Sequence, residues 1–195
     1  MAKKNQLTTS DYMSEAEFKN LLDLLRADKE YIWELYARVS FYTACRSSDV
    51  LKMKWSTILD KEQTVVVETK TKKARKIKFT ECMREKIHEL YDLLGKPPVN
   101  SLIFANKRTG EHITIQYVNQ KLKSVKEKYN LSIDHFSTHT FRKTFARYVY
   151  ESCNRSAESL ILLNKILNHT SIQNTKTYIG ITQDEIDGIY ETVDF

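Results

Sequence analysis

The apolar residues leave helical spacing in one stretch of this chain, and that stretch bounds the fold. On either side of residues 55–79 they recur at helical spacing. Within that stretch they fall into short β-rich runs parted by polar turns. Ser14-Glu15-Ala16-Glu17 has the form of a capping box and leads into Phe18, Leu21, Leu22 and Leu25 at helical intervals. A second helix is predicted from about Glu30 to Ala44, with Ile32, Leu35, Tyr36 and Val39 inward, and a short one from Ser47 or Ser48 through Leu51. Trp55–Leu59, Thr64–Glu68 and Arg75–Phe79 then read as strands of a small antiparallel sheet. Thr80 caps a helix bearing Met83, Ile87, Leu90 and Leu94, which Gly95 and Pro97-Pro98 end. Thr114 opens another with Tyr117, Val118, Leu122 and Val125. Further helices fit 138–151, 156–168, 171–178 and 183–192. The fold class is therefore mainly α with a small antiparallel β-sheet on one edge.

At 195 residues the chain can build one sizeable domain. With four glycines and two prolines it holds neither GxGxxG nor GxxxxGK[ST], so a glycine-rich phosphate cradle is excluded. Three widely spaced cysteines, Cys45, Cys82 and Cys153, make no disulfide framework, and a reducing cytoplasm is the expected setting. No apolar run approaches the ~20 residues that span a bilayer, so no membrane partner is expected. His135 and His139 stand at i, i+4. No Glu follows the first as in HExxH and no third ligand is evident, so no metal is expected.

Charge is unevenly placed. The chain carries +6 overall, but residues 181–195 hold five acids (Asp184, Glu185, Asp187, Glu191, Asp194) and no Lys or Arg. The first 180 residues therefore carry all 31 basic side chains against 20 acids, or +11. A basic body favours a polyanionic partner. The acidic tail, with Ile181, Ile186, Ile189 and Val193 among its acids, fits an amphipathic docking segment or simple packing on its own domain.

Three short segments carry chemistry. In His139-Thr140-Phe141-Arg142 a His and an Arg share one helix face, a pairing that suits a phosphate. Arg46 falls between two helices, where unsatisfied N–H groups also favour phosphate. The plainer reading is a salt bridge to Asp49. In Leu167-Asn168-His169-Thr170-Ser171-Ile172, running on to Thr177-Tyr178, the offset of Tyr178 from His169 raises the interest of one tyrosine among eleven.

Together these segments resemble the catalytic domain of the tyrosine recombinases, or phage integrases. The family order is Arg, a β-hairpin Lys, His-x-x-Arg, His or Trp, then Tyr nine residues later. It is matched by Arg46, Lys70, His139, Arg142, His169 and Tyr178. Arg46-Ser47-Ser48-Asp49-Val50-Leu51 and Thr138-His139-Thr140-Phe141-Arg142-Lys143-Thr144 resemble the family's two arginine boxes. Ala44-Cys45 stands where many relatives carry Gly and a hydrophobic residue, and Lys143 where His is common.

The resemblance implies an enzyme that cleaves and rejoins DNA through a 3′-phosphotyrosyl intermediate, serving integration or excision, with no cofactor. Tyr178 would be the nucleophile, Arg46 and Arg142 the phosphate clamp, His139 the proton acceptor or a hydrogen-bond partner of the phosphate, His169 a phosphate donor and Lys70 the general acid, with Lys72 and Lys73 competing for that role. Asp49 would brace the arginines. Lys72, Lys73 and Arg75 would contact the DNA backbone. Double-stranded DNA is the expected partner, bound by a homotetramer; a monomer stays open for the free protein. The expected layout is a flexible segment over 1–13, the catalytic domain over 14–180 and a docking tail over 181–195. The core-binding domain common ahead of the catalytic one is expected to be absent from this chain. A type IB topoisomerase and a non-catalytic DNA-binding module are the alternatives.

Overall fold

Period and capping set most of the element boundaries. In the computed structural model, which describes residues 10–181, α1 runs Glu15–Ala27. The Ser14 side chain accepts from the Glu17 amide while the Glu17 carboxylate takes the Ser14 amide at 2.8 Å, closing the capping box. Phe18, Leu21, Leu22 and Leu25 form the buried face. The second helix, α2 (Tyr31–Thr43), packs against α1 and buries Trp33, Leu35, Tyr36 and Val39. One-turn helices α3 (Ser47–Val50) and α4 (Trp55–Ile58) follow. Next come strands β1 (Gln63–Val67) and β2 (Ala74–Lys78), then α5 (Glu81–Leu93), α6 (Ile115–Lys128), α7 (Thr140–Ser152), α8 (Ala157–Leu167) and α9 (Ile172–Ile179). Thr80, Thr114, Ser156 and Ser171 each cap the helix that follows them. The helix expected over 183–192, like the rest of the tail beyond Ile181, lies outside the described residues.

One element differs from the sequence reading. Trp55–Leu59 was expected as a strand; Trp55–Ile58 is a turn of helix, and the sheet has two strands. The reason is local. The Trp55 amide bonds to the Ser101 carbonyl (3.2 Å) and the Ser56 amide to that of Val99 (2.7 Å), both in a loop. The Trp55 ring packs edge-on to Tyr91 of α5, centroids 4.9 Å apart. Only Lys54 keeps a strand-like contact, an isolated bridge to Leu102.

The chain divides into two compact units, residues 10–145 and 146–181 among those described. The core of the first is aromatic. Tyr36 meets Phe104 and Phe141 edge-on at 5.4 and 5.9 Å, and Phe141 meets Phe136 at 5.6 Å. The β1–β2 hairpin is antiparallel, pairing Val66 with Arg75 and Thr64 with Ile77. Strand alternation turns Val66 inward and leaves Val65 and Val67 exposed. In the second unit α8 and α9 pack together, with Leu160, Leu163, Leu167 and Ile179 buried.

Candidate active site

Helix α2 ends at Ala44, whose backbone is left-handed (φ 46°, ψ 30°). That conformation favours glycine, a physical reason for the Gly that the family resemblance leads one to expect here. The turn points the Ala44 carbonyl at Arg142, whose Nη1 donates to it at 2.7 Å. Arg142 lies in the first turn of α7, next to Phe141, and is only 4% exposed. Core packing of that ring and the bond to Ala44 thus hold the guanidinium in place from two sides.

Two residues past Ala44, Arg46 is the N-cap position of α3. Its Nη1 pairs with the carboxylate of Glu68, a residue with no exposed surface. This replaces the Arg46–Asp49 bridge considered from sequence. Asp49 instead accepts the Thr69 amide on Oδ1 at 2.9 Å, which ties α3 to the turn after β1. The Ser47 hydroxyl donates to the Thr138 carbonyl (3.3 Å), joining α3 to the segment that carries His139.

His139 precedes α7; its amide donates to Ser137 Oγ and its carbonyl accepts from the Lys143 amide. Burial pushes its imidazole below the ordinary value, and the charges of Arg142, Lys143, Arg46 and Lys70 push the same way. Those four side chains, from α3, the hairpin and α7, therefore act on one ring. At neutral pH the ring is neutral and able to accept a proton. Lys143 is half-buried, with Nζ on the Ser10 carbonyl at 2.6 Å. Burial holds its pKa below the usual lysine value, against the pull of Asp11.

Lys70, Lys72 and Lys73 are exposed in the β1–β2 turn. Arg75, expected on the DNA backbone beside them, is placed otherwise. It is buried, with its guanidinium on the Thr43 carbonyl and Cys45 Sγ. Alternation along Arg75-Lys76-Ile77 puts it on the inward face with Ile77, a signal present in the sequence.

The second unit holds the other two residues. Asn168, left-handed at φ 49°, ends α8, and His169 follows. His169 Nδ1 lies 3.1 Å from Thr175 Oγ1, which also accepts from Asn164 Nδ2 at 3.2 Å. Thr175 is fully buried and one helical turn before Tyr178 on α9. The His169 and Tyr178 rings meet edge-on, centroids 5.1 Å apart. Glu68, Thr175 and Asn164 were not picked out from sequence, for their roles appear only once strand and helix faces are fixed.

Among the described residues no group of three or more His, Cys, Asp or Glu could hold a metal ion. His135 pairs with Asp11 at 3.2 Å and not with His139. No helix among them is long and apolar enough to cross a membrane.

Known proteins are similar to this chain in sequence and in fold. The sequence model described as "Phage integrase family" matches residues 11–185. A protein named probable integrase/recombinase YoeC of Bacillus subtilis (strain 168) is 32% identical over 149 residues, covering 76% of this chain and 77% of its own. Tyrosine recombinase XerC of Treponema denticola is 26% identical over 185 residues, covering 83% of this chain and 57% of its own. Two solved structures share the fold. The XerA recombinase has a TM-score of 0.71 at 22% identity, covering 96% of this chain and 66% of its own. The Tn1549 transposon integrase, solved with circular intermediate DNA, has 0.67 at 17%, covering 98% and 68%. The chain thus spans about half to three quarters of the length of the proteins it matches. These relatives favour neither the topoisomerase nor the non-catalytic module. By its sequence match over residues 11–185 and its relatives, this chain belongs to the phage integrase family, the tyrosine-type site-specific recombinases.

Proposed function

We propose that the chain cleaves and rejoins double-stranded DNA at specific sites through a 3′-phosphotyrosyl intermediate, in integration or excision of a mobile element. The Tyr178 oxygen attacks a backbone phosphorus. The phenol proton passes to His139, the phosphorus–O5′ bond breaks, and the leaving 5′ oxygen takes a proton from Lys70. One phosphoester bond forms as one is lost, so the step runs backward when a 5′ hydroxyl of another strand arrives, and needs no outside energy source. A phenol titrates near ~10, so it attacks well only with a base at hand and cations to stabilise the charge on phosphorus. Arg46 and Arg142 supply those cations and His169 a further hydrogen bond.

The observation that carries this reading is the convergence of Arg46, Lys70 and Arg142 on the neutral imidazole of His139. A cation cluster around a proton acceptor is what a phosphoryl transfer through a phenol requires. Lys72 and Lys73 lie along the DNA backbone. Residues 14–180 act as the catalytic domain in the cytoplasm, assembled as a tetramer on DNA. Residues 181–195 dock on a neighbouring protomer; deleting them should alter assembly or cleavage timing.

The test uses duplexes with randomised sequence and scattered nicks, from which covalent protein–DNA adducts are captured under denaturing conditions and sequenced. The wild-type chain should enrich one site, and Tyr178→Phe should capture nothing. Equal capture by both proteins, or none by the wild type, would sink the reading.

A further inference from the structure

Glu68 is a fully buried carboxylate with a position no surface residue needs. It lies one residue past β1 and two past the inward-facing Val66, so continued strand alternation directs its side chain under the hairpin. Its Oε2 accepts from Arg46 Nη1 and from the Thr71 hydroxyl, the latter at 2.7 Å. Its backbone closes the same turn: the Glu68 amide donates to the Lys73 carbonyl (3.0 Å), and the Glu68 carbonyl accepts from the Lys72 amide (2.9 Å). Lys70 is thus an exposed residue in a turn where the side chains of 68 and 71 meet on one oxygen.

We propose that Glu68 is a positioning residue for DNA cleavage, its single oxygen Oε2 holding both the phosphate-clamping Arg46 and the turn that presents Lys70. The inference rests on the function proposed above. Arg46 Nη1 is taken by Glu68, its one ion-pair partner among the described residues, so Nη2 and Nε remain for a phosphate oxygen. A lysine on a surface turn would otherwise sample many placements, and general acid catalysis demands hydrogen-bond reach of the leaving oxygen. The Thr71 hydroxyl couples the two by fixing the turn to the same carboxylate that fixes the guanidinium.

The experiment compares two versions of the captured site: normal DNA, and DNA with sulfur in place of the bridging 5′ oxygen at the cleavage point. A thiolate leaves without being protonated, so the sulfur substrate relieves a defect in Lys70 and not one in Arg46. Glu68→Ala should slow adduct formation on normal DNA on the order of 100-fold, the scale of a misplaced catalytic group, and recover part of that loss on the sulfur substrate. Thr71→Val, which keeps the Arg46–Glu68 pair, should lose roughly tenfold on normal DNA, a lesser misplacement, and recover nearly all of it. Glu68→Gln retains an acceptor of the same shape and guards against a variant that fails to fold; it should fall between wild type and Glu68→Ala. DNA affinity should stay within about twofold of wild type, as for a group that touches no phosphate. Unchanged cleavage in all three variants would overturn the proposal, as would equal defects on both substrates. A wild-type chain that forms no adduct on either substrate would sink the proposed function, and this inference with it.

Discussion

Two buried glutamates in the first unit each meet arginine, and they do different work. Glu34 in α2 is wholly buried and takes two guanidiniums. Arg26 of α1 reaches both of its oxygens, through Nη2 at 2.9 Å and Nε at 2.6 Å, and Arg38 adds Nε at 2.8 Å. Arg26 also pairs with Glu89 of α5, so the cluster joins three helices. Glu68 is equally buried, yet Arg46 reaches it through a single Nη, and the neutral Thr71 hydroxyl donates to the same oxygen. A carboxylate saturated by two arginines consumes their donors and acts as a strut. One that takes a single nitrogen fixes an arginine while leaving its remaining donors for an incoming anion. The geometry of the pair, more than its burial, separates scaffold from site.

The sharpest way to break this contrast is to remove the arginines. Arg46→Ala should slow adduct formation by about 10³-fold, the scale for losing a preorganised donor to transition-state charge. Its melting temperature should fall as well, because the Glu68 carboxylate stays buried without its guanidinium, so the rate is read where the variant is still folded. Arg38→Ala should cleave at the wild-type rate. Equal activity in the two variants, measured by single-turnover cleavage at the captured site, would erase the distinction.

The scaffold pair should show in stability without showing in cleavage. Glu34→Ala strands two partly buried guanidiniums and should cost about 3–5 kcal/mol, the usual penalty for breaking a buried pair from one side. For a chain of this length that is roughly a 10 °C fall in melting temperature. Calorimetry that finds Glu34→Ala as stable as the wild type would make Glu34 a bystander.

A smaller effect separates residues within the hairpin turn. Lys72→Ala should weaken DNA binding and reduce the slope of log affinity against log salt by about 0.9, one phosphate contact, while sparing cleavage at saturating protein. Lys70→Ala should do the reverse. Exchanged phenotypes would reassign the general acid to Lys72.

The contrast between the glutamates also marks what the sequence could reveal. Arg46, His139, Arg142, His169 and Tyr178 could be singled out from sequence because they stand in three short boxes in a fixed order, and boxes need no tertiary information; Lys70 stands outside the boxes, in a basic turn where Lys72 and Lys73 compete with it. Helix boundaries were legible wherever Ser or Thr caps an apolar stripe, as at Ser14, Thr80 and Thr114. Glu68 was hidden because a charged residue at a strand end reads as solvated until the register shows it facing inward with Val66. The same alternation would have turned Arg75 inward had Ile77 been taken as its guide. Trp55 was misread because a four-residue helical turn has no period to detect, and its conformation is set by a loop some 45 residues away in sequence.

The site's electrostatics leave one last trace, in the pH dependence of folding. Burial and four cations push His139 below its unfolded value of about 6.5. As pH falls through that value the unfolded chain takes up a proton that the folded chain still refuses. The stability contributed by the neutral ring is therefore whole above pH ~6.5 and drains away until the folded pKa is passed. His139→Gln removes the titration but keeps a polar side chain. Its melting temperature should fall less than that of the wild type between about pH 7 and pH 5, the interval below the unfolded imidazole's pKa. Parallel curves would mean that the folded ring titrates as it does in the unfolded chain and that burial and the surrounding cations do not disfavour its protonation. In that case the cation cluster would not act on His139, and the observation that carries the proposed function would be lost.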